Sequence, residues 1–274
     1  MSLPPPVRRV AREAWRGGRP GPGARSVPEE TAVAFTYDRT AHAVMLATPA
    51  DLEDFAVGFS LNEGIVSSPA EIRELEVLAH ADGVELRMAL ANRPAEAFVA
   101  RRRHLAGPTG CGLCGIESLE QALRAPTPVA GEWRATAADV MAALASLPAA
   151  QPLHRETGAV HAAGFWEPAQ GLVAAREDVG RHNALDKLAG ALARASRSAA
   201  RGILVLTSRV SVEMVQKAAA MGAPIVVAIS APTALAVRTA EAAGLSLVAV
   251  ARADGFEVFA HPARIAAGAA ASVA

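Results

Sequence analysis

Residues 202–237 read GILVLTSRVSVEMVQKAAAMGAPIVVAISAPTALAV, and this stretch decides the fold class. GILVLTSR and APIVVAIS are short apolar runs. Between them SVEMVQKAAAMG has helical periodicity and stops at Gly222, a residue suited to a helix end. PTALAVRTAEAAG then repeats the helical pattern and LSLVAVA the apolar run. A strand this apolar has no side left for water. Such strands joined by single helices predict a parallel sheet covered on both faces, an α/β fold.

Working outward, DVGRHNALDKLAGALARAS (178–196) reads as a long helix with Asp178 placed to cap it. GAVHAAGFW and GLVAARE read as a hairpin, and TAADVMAALASL as a helix opened by a capping box from Thr136 to Asp139. APTPVAGEW (125–133) is the expected boundary, and upstream the pattern is α+β. TAVAFTY and HAVMLAT read as strands. TPADLEDFAVGFSLNEG reads as a helix capped by Thr48, with Leu52, Phe55, Phe59 and Asn62 on one face. LEVLAHADGVELRMALA alternates on both sides of Asp82-Gly83, a hairpin signal. Residues 1–25, rich in Pro, Gly and Arg, read as a mobile tail. The expected division is therefore a tail over 1–25, a smaller α+β region over 26–130 and an α/β domain over 131–274.

Hydrophobic residues make up 51% of the 274, enough for a substantial core, and the formal net charge is zero. No basic surplus points to nucleic acid or an anionic membrane. The N-terminal MSLPPPVRRVAREAWRGG lacks the apolar run of a signal peptide, and APIVVAISAPTALAV is too short to span a bilayer. Two cysteines are too few for a secreted disulfide scaffold, so the chain reads as cytoplasmic with its thiols reduced.

Those cysteines, Cys111 and Cys114, form a CxxC in TGCGLCGIESLEQALRA (109–125), among glycines and just before a helical pattern. Four chemistries use such a pair: a metal clip, a disulfide, a redox couple and a sulfur nucleophile. A structural zinc needs four ligands, yet His104, His154, His161 and His182 show no H-x3-5-H spacing. The zinc-deaminase order, H-x-E before P-C-x-x-C, also fails. His154 and Glu156 follow the cysteines, and Gly110 precedes Cys111. No metal ion held by side chains is expected. A redox couple belongs beside a βαβ unit, which here comes much later in the chain. A nucleophile fits the helix start, which favours thiolate, and the glycines, which leave the sulfur uncovered. Spacing alone selects none of these.

Six stretches in order resemble the FdhD/NarQ family of formate dehydrogenase accessory sulfurtransferases: TPADLEDFAVGFSLNEGIV, GCGLCG, TGAVHAAGF, EDVGRHNALDKLAGA, SRVSVEMVQKAAAMGAPIVVAISAPTALAV and GFEVFAHPARI. Together they cover about residues 28 to 265. Ser208 stands where the family is expected to have glycine. The resemblance implies a cytidine-deaminase-like three-layer α/β/α domain that is not a zinc deaminase. It implies that Cys111 accepts persulfide sulfur from a cysteine desulfurase, with Cys114 assisting. The sulfur then passes to a Mo- or W-bis(molybdopterin guanine dinucleotide) cofactor, a bound substrate destined for formate dehydrogenase. It implies a cofactor-binding segment over Phe256, Glu257, Val258, Phe259, Ala260 and His261, and a homodimer. The rival reading is a non-catalytic chaperone for the cofactor, whose CxxC is structural or metal-binding.

A cofactor of this kind is a polyanion, and ligands of open α/β sheets bind at the carboxyl ends of strands. Those ends carry TSRVS and SAPT, which add Ser208, Arg209, Ser230 and Thr233 to the candidates, since hydroxyls, an arginine and helix N-termini suit phosphate. The same hydroxyls also suit plain helix capping. Arg181 and His182, in the polar helix start EDVGRHN, are further candidates, ahead of His161.

Overall fold

The computed structural model describes residues 2–91 and 126–266. Cys111, Cys114 and the helix expected after them lie outside the described residues. The stretch expected as a mobile tail instead opens with a β-hairpin, β1 (Val7–Arg16) paired with β2 (Arg19–Pro28). Gly17 and Gly18, with φ of 57° and 75°, form the two-residue turn that a hairpin with right-handed twist requires. Arg16 and Arg19 flank that turn, so they exchange hydrogen bonds. Alternation then places Pro20, Pro22 and Pro28 where a strand residue directs its N–H away from its partner. Proline costs nothing there. Arg25 donates to the carbonyl of Thr157 at 3.2 Å and ties β2 to the body of the protein.

β3 (Thr31–Tyr37), β4 (Thr40–Ala47), β5 (Ile72–His80) and β6 (Gly83–Leu90) form a sheet in the order β4-β3-β6-β5, in which β3 and β6 run parallel. Helix α1 (Leu52–Asn62) covers one face, placing Leu52, Phe55 and Phe59 in a core with Val33, Phe35 and Leu86. Thr48 does not cap this helix; Asp51 does, in the left-handed region and without a side-chain bond. Thr48 is fully buried and engaged elsewhere: its N–H donates to Asp178, its hydroxyl accepts from Val179 N, and its carbonyl accepts from Lys187.

After β7 (Ala135–Thr136) come α2 (Ala137–Ser146), which opens with the expected capping box, and α3 (Pro152–Thr157). The central sheet is built from β8 (His161–Glu167), β9 (Gly171–Asp178), β10 (Ile203–Leu206), β11 (Ile225–Ala228), β12 (Ser246–Arg252) and β13 (Gly255–Ala260). Their order is β13-β12-β11-β10-β8-β9. Helices α4 (Arg181–Arg194), α5 (Val212–Ala220) and α6 (Ala234–Ala243) pack on one face, and α2 packs on the other. β14 (Ile265–Ala266) returns to pair with β7. The chain is thus α/β, with a helical layer on each face of this sheet. The sheet is mixed rather than purely parallel. β10, β11 and β12 run parallel, while β8 and β13 run antiparallel to their neighbours β10 and β12. Helical crossovers enforce parallel pairing only for the central three; β12 and β13 are joined by a tight turn, which enforces the opposite. Among the described residues no helix is long and apolar enough to cross a membrane.

The two regions meet where α1 crosses α4 with backbones in contact. A Cβ added at Gly58 would fall 1.7 Å from the Asp186 carbonyl oxygen, and one at Gly190 1.9 Å from that of Asp54. Both obstacles are main chain, so the helices must separate to admit a methyl group. Gly190→Ala is expected to cost about 3 kcal/mol of stability, at the upper end for overpacking. Chemical denaturation checks this; a loss below about 1 kcal/mol contradicts the close crossing.

Candidate functional site

The parallel strands β10, β11 and β12 end at one edge of the central sheet, and their loops are stitched together. Val210 N donates to Ala231 O at 3.3 Å, Thr233 N to Val210 O at 2.9 Å, and Val250 N to Ser230 O at 3.3 Å. The antiparallel β8 starts at this edge, where Ala162 N donates to the Thr207 hydroxyl at 2.8 Å. β13 also starts here, at Gly255 opposite Arg252. The N-termini of α5 and α6 open on the same edge with their unpaired amide groups. His161, paired with Asp178 across β8 and β9, brings the start of α4 alongside.

The expected residues divide on inspection. Arg209 is exposed and, among the described residues, takes part in no ion pair, so its guanidinium faces solvent at the mouth of the edge. Ser208 is buried and its hydroxyl donates to the Arg209 carbonyl at 3.0 Å, which fixes the loop. Thr233 caps α6 by accepting from Ala236 N at 3.2 Å, the structural role that threonine commonly takes. Ser230 lies half-buried between them. Arg181 and His182 begin α4, whose N-cap is Gly180 rather than Asp178. Asp178 is buried one turn earlier, where it accepts from Gly180 N and from the Asn183 amide. The segment 256–261 does not converge as a unit. β13 runs antiparallel to β12, so Phe256 lies at the carboxyl edge while Ala260 pairs with Leu247 at the opposite edge. His261 there contacts Glu241, its Nε2 lying 2.9 Å from the Glu241 carbonyl oxygen. Val258, Phe259 and Ala260 pack into the cores on the two faces, and Glu257 is exposed.

Two features of the edge had no clear signal in the sequence. Arg252 donates to the carbonyl of Ile229 and, at 2.8 Å, to that of Ala251, which puts a second arginine beside Ser230. Val250 next to it has φ of 51°, a backbone region that β-branched residues avoid. The other feature is Glu213, in the first turn of α5. Its carboxylate lies 3.0 Å from His182 Nε2, both side chains nearly fully buried. Behind this pair Lys217 contacts both oxygens of Asp186 at 2.6 and 2.7 Å, and Asn62 of α1 donates to Asp186 at 2.6 Å. A buried ionic chain therefore runs from the edge, along α4 and α5, into the N-terminal region.

Electrostatics set the protonation states along that chain. Burial pushes the Asp186 carboxyl up although Lys217 opposes it. Burial also acts to lower Lys217, but Asp186, Glu63 and Glu213 outweigh it and the ammonium is held charged. At the edge, burial first and the Arg181 charge second pull His161 below the ordinary histidine range, with Asp178 opposing. His161 is thus held toward its neutral form beside Arg181, and with two helix N-termini opening on this edge the arrangement suits an anion.

Known proteins share this architecture. The model of the FdhD/NarQ family matches residues 28–266. The sulfur carrier protein FdhD of Agrobacterium fabrum is 55% identical over 97% of this chain and 98% of its own length. That of Cupriavidus necator is 48% identical over 96% and 91% respectively. The crystal structure of a formate dehydrogenase accessory protein from Desulfotalea psychrophila superposes with a TM-score of 0.77. It is 26% identical and covers 96% of this chain and 100% of its own. Since the matched residues span both sheets and every loop of the carboxyl edge, the chain belongs to the FdhD/NarQ family.

Proposed function

We propose that the protein is a sulfur carrier for formate dehydrogenase. Cys111 takes sulfane sulfur from the persulfide of a cysteine desulfurase and passes it to the Mo-bis(molybdopterin guanine dinucleotide) cofactor, its bound substrate. In the first step the Cys111 thiolate attacks the terminal sulfur of the donor persulfide. A new S–S bond forms on Cys111, the donor cysteine leaves as thiolate, and no electrons are gained or lost overall. In the second step the outer sulfur leaves Cys111 for the cofactor at the sulfide level, and Cys114, three residues on, supplies the two electrons as its thiolate closes a disulfide with Cys111. Relatives named as sulfur carriers, similar over nearly their whole length, support the sulfur step.

The observation that carries the cofactor step is Arg209, exposed and without an ion pair among the described residues, between two helix N-termini. A guanidinium and helix dipoles both attract a diphosphate. Arg209 therefore holds a phosphate of a guanine-nucleotide arm. Ser230, Arg181 and His182 line the same edge, and Phe256 stands at its margin. Losing one charge-assisted contact costs about 1.5–3 kcal/mol, roughly ten- to hundred-fold in affinity. Arg209→Ala is expected to weaken GDP, a stand-in for half the cofactor, by that factor. Arg209→Lys recovers only part, because the bidentate fork is lost. Calorimetry at fixed salt decides it; equal affinity for the parent and Arg209→Ala puts the phosphate elsewhere.

A further inference from the structure

The hairpin of β1 and β2 precedes nearly all of the segment that the family shares, residues 28–266. Its strands carry six arginines, Arg8, Arg9, Arg12, Arg16, Arg19 and Arg25, against one acid, Glu13. That is +5, which leaves −5 for the remainder of a chain whose net charge is zero. The exposed Trp15 (67%) and Val10 (40%) belong to the same hairpin. Arg8 pairs with Glu29 and Arg25 holds the Thr157 carbonyl, so the base is anchored while the strands stand clear.

The two outer edges of this ribbon differ. On β2 the outward-facing positions include Pro20, Pro22 and Pro28, which have no N–H to offer, so a further strand cannot add there. On β1 the outward-facing groups belong to Val7, Arg9, Ala11, Glu13 and Trp15. Among the described residues no strand pairs with them. One edge is blocked and the other is open. Among the described residues Arg9 and Glu13 also take part in no ion pair.

We infer that the open edge of β1 docks the same strand of a second copy, antiparallel about a two-fold axis at Ala11, joining two hairpins into a four-stranded sheet. Charge fixes the register, because like charges directly opposite are unfavourable and opposite charges favourable. With the axis at Arg9 or Arg12 that arginine faces itself. With the axis at Val10, Arg8 faces Arg12; at Glu13 the glutamate faces itself; at Ala14, Arg12 faces Arg16. Of these registers only the one with its axis at Ala11 brings no like charges face to face. Arg9 then lies opposite Glu13 twice by symmetry, and Val7 covers the exposed Trp15. The family resemblance implies a homodimer without assigning a surface; this surface is argued from the strand alone and does not rest on the sulfur chemistry.

Sedimentation equilibrium on the full chain tests it with three variants. The parent is expected to be a dimer. Glu13→Arg turns both symmetric pairs repulsive and weakens dimerisation roughly ten- to hundred-fold. The double exchange Arg9→Glu with Glu13→Arg restores the opposite charges and returns the constant to within about three-fold of the parent. Ala11→Pro weakens it as well, because it removes an N–H at the axis that β2 does not use, so the hairpin survives. Unchanged far-ultraviolet circular dichroism confirms that each variant folds. A parent that is monomeric on the order of 10 µM overturns the inference. So does a dimer whose affinity ignores Glu13→Arg and Ala11→Pro, or a double exchange that rescues nothing.

Discussion

Cys111→Ala is expected to abolish sulfur transfer outright while leaving the fold and GDP affinity intact. The sulfur-relay role needs a thiolate at this position, and alanine supplies no acceptor for sulfane sulfur. The residue stands in a glycine-rich run, TGCGLCG, a composition poor in the large apolar side chains that build a core. Cys114→Ala is expected to weaken transfer less. The measurement is activation of formate dehydrogenase with the variant as sole sulfur carrier, alongside thermal unfolding and GDP calorimetry. Parent-level activation by Cys111→Ala removes the residue from the relay.

Lys187→Met carries the largest expected effect on stability. Lys187 and Asp178 are both fully buried and their charged atoms lie 2.6 Å apart. The ammonium also donates to the Thr48 carbonyl at 2.8 Å and lies 5.6 Å from the centre of the Phe55 ring. Methionine fills the volume but leaves the Asp178 carboxylate with only neutral donors, Thr48 N, Gly180 N and the Asn183 amide. Breaking a buried pair from one side costs about 3–5 kcal/mol. Because Asp178 and Thr48 come from different regions, the loss falls on the seam between α1 and α4. Adding Asp178→Asn removes the stranded charge and is expected to recover part of the stability, a coupling that chemical denaturation of the two singles and the double resolves. A loss below about 1 kcal/mol in Lys187→Met would mean that the seam does not depend on this pair.

Local pattern told most of the elements correctly and told little about what joins them. The periodicity of LEDFAVGFSLN and the capping box at Thr136 and Asp139 are short-range features, and both stand in the structure. The seam is not of that kind. Thr48 looked like a helix cap because capping needs only the next three residues, whereas its actual partners, Asp178 and Lys187, are about 130 positions away. In the hairpin over 7–28 the composition suggests a tail, whereas the spacing carries the true signal. Gly17-Gly18 is a turn signal, and prolines at even intervals fit one side of an edge strand. At the carboxyl edge the apolar strands told where Arg209, Ser230 and Thr233 would meet. They could not tell that Glu213 turns inward to His182, or that β13 carries His261 away to the far edge.

Transferable sulfur on Cys111 is read directly by intact-protein mass spectrometry. The reduced protein is incubated with a cysteine desulfurase and cysteine, then digested to locate any adduct. The added mass of one sulfur atom is expected on the peptide containing Cys111, removed by reductant and absent from Cys111→Ala. A Cys111 that stays unmodified while the desulfurase turns over would contradict the sulfur-carrier role and leave a protein that binds the cofactor without loading sulfur.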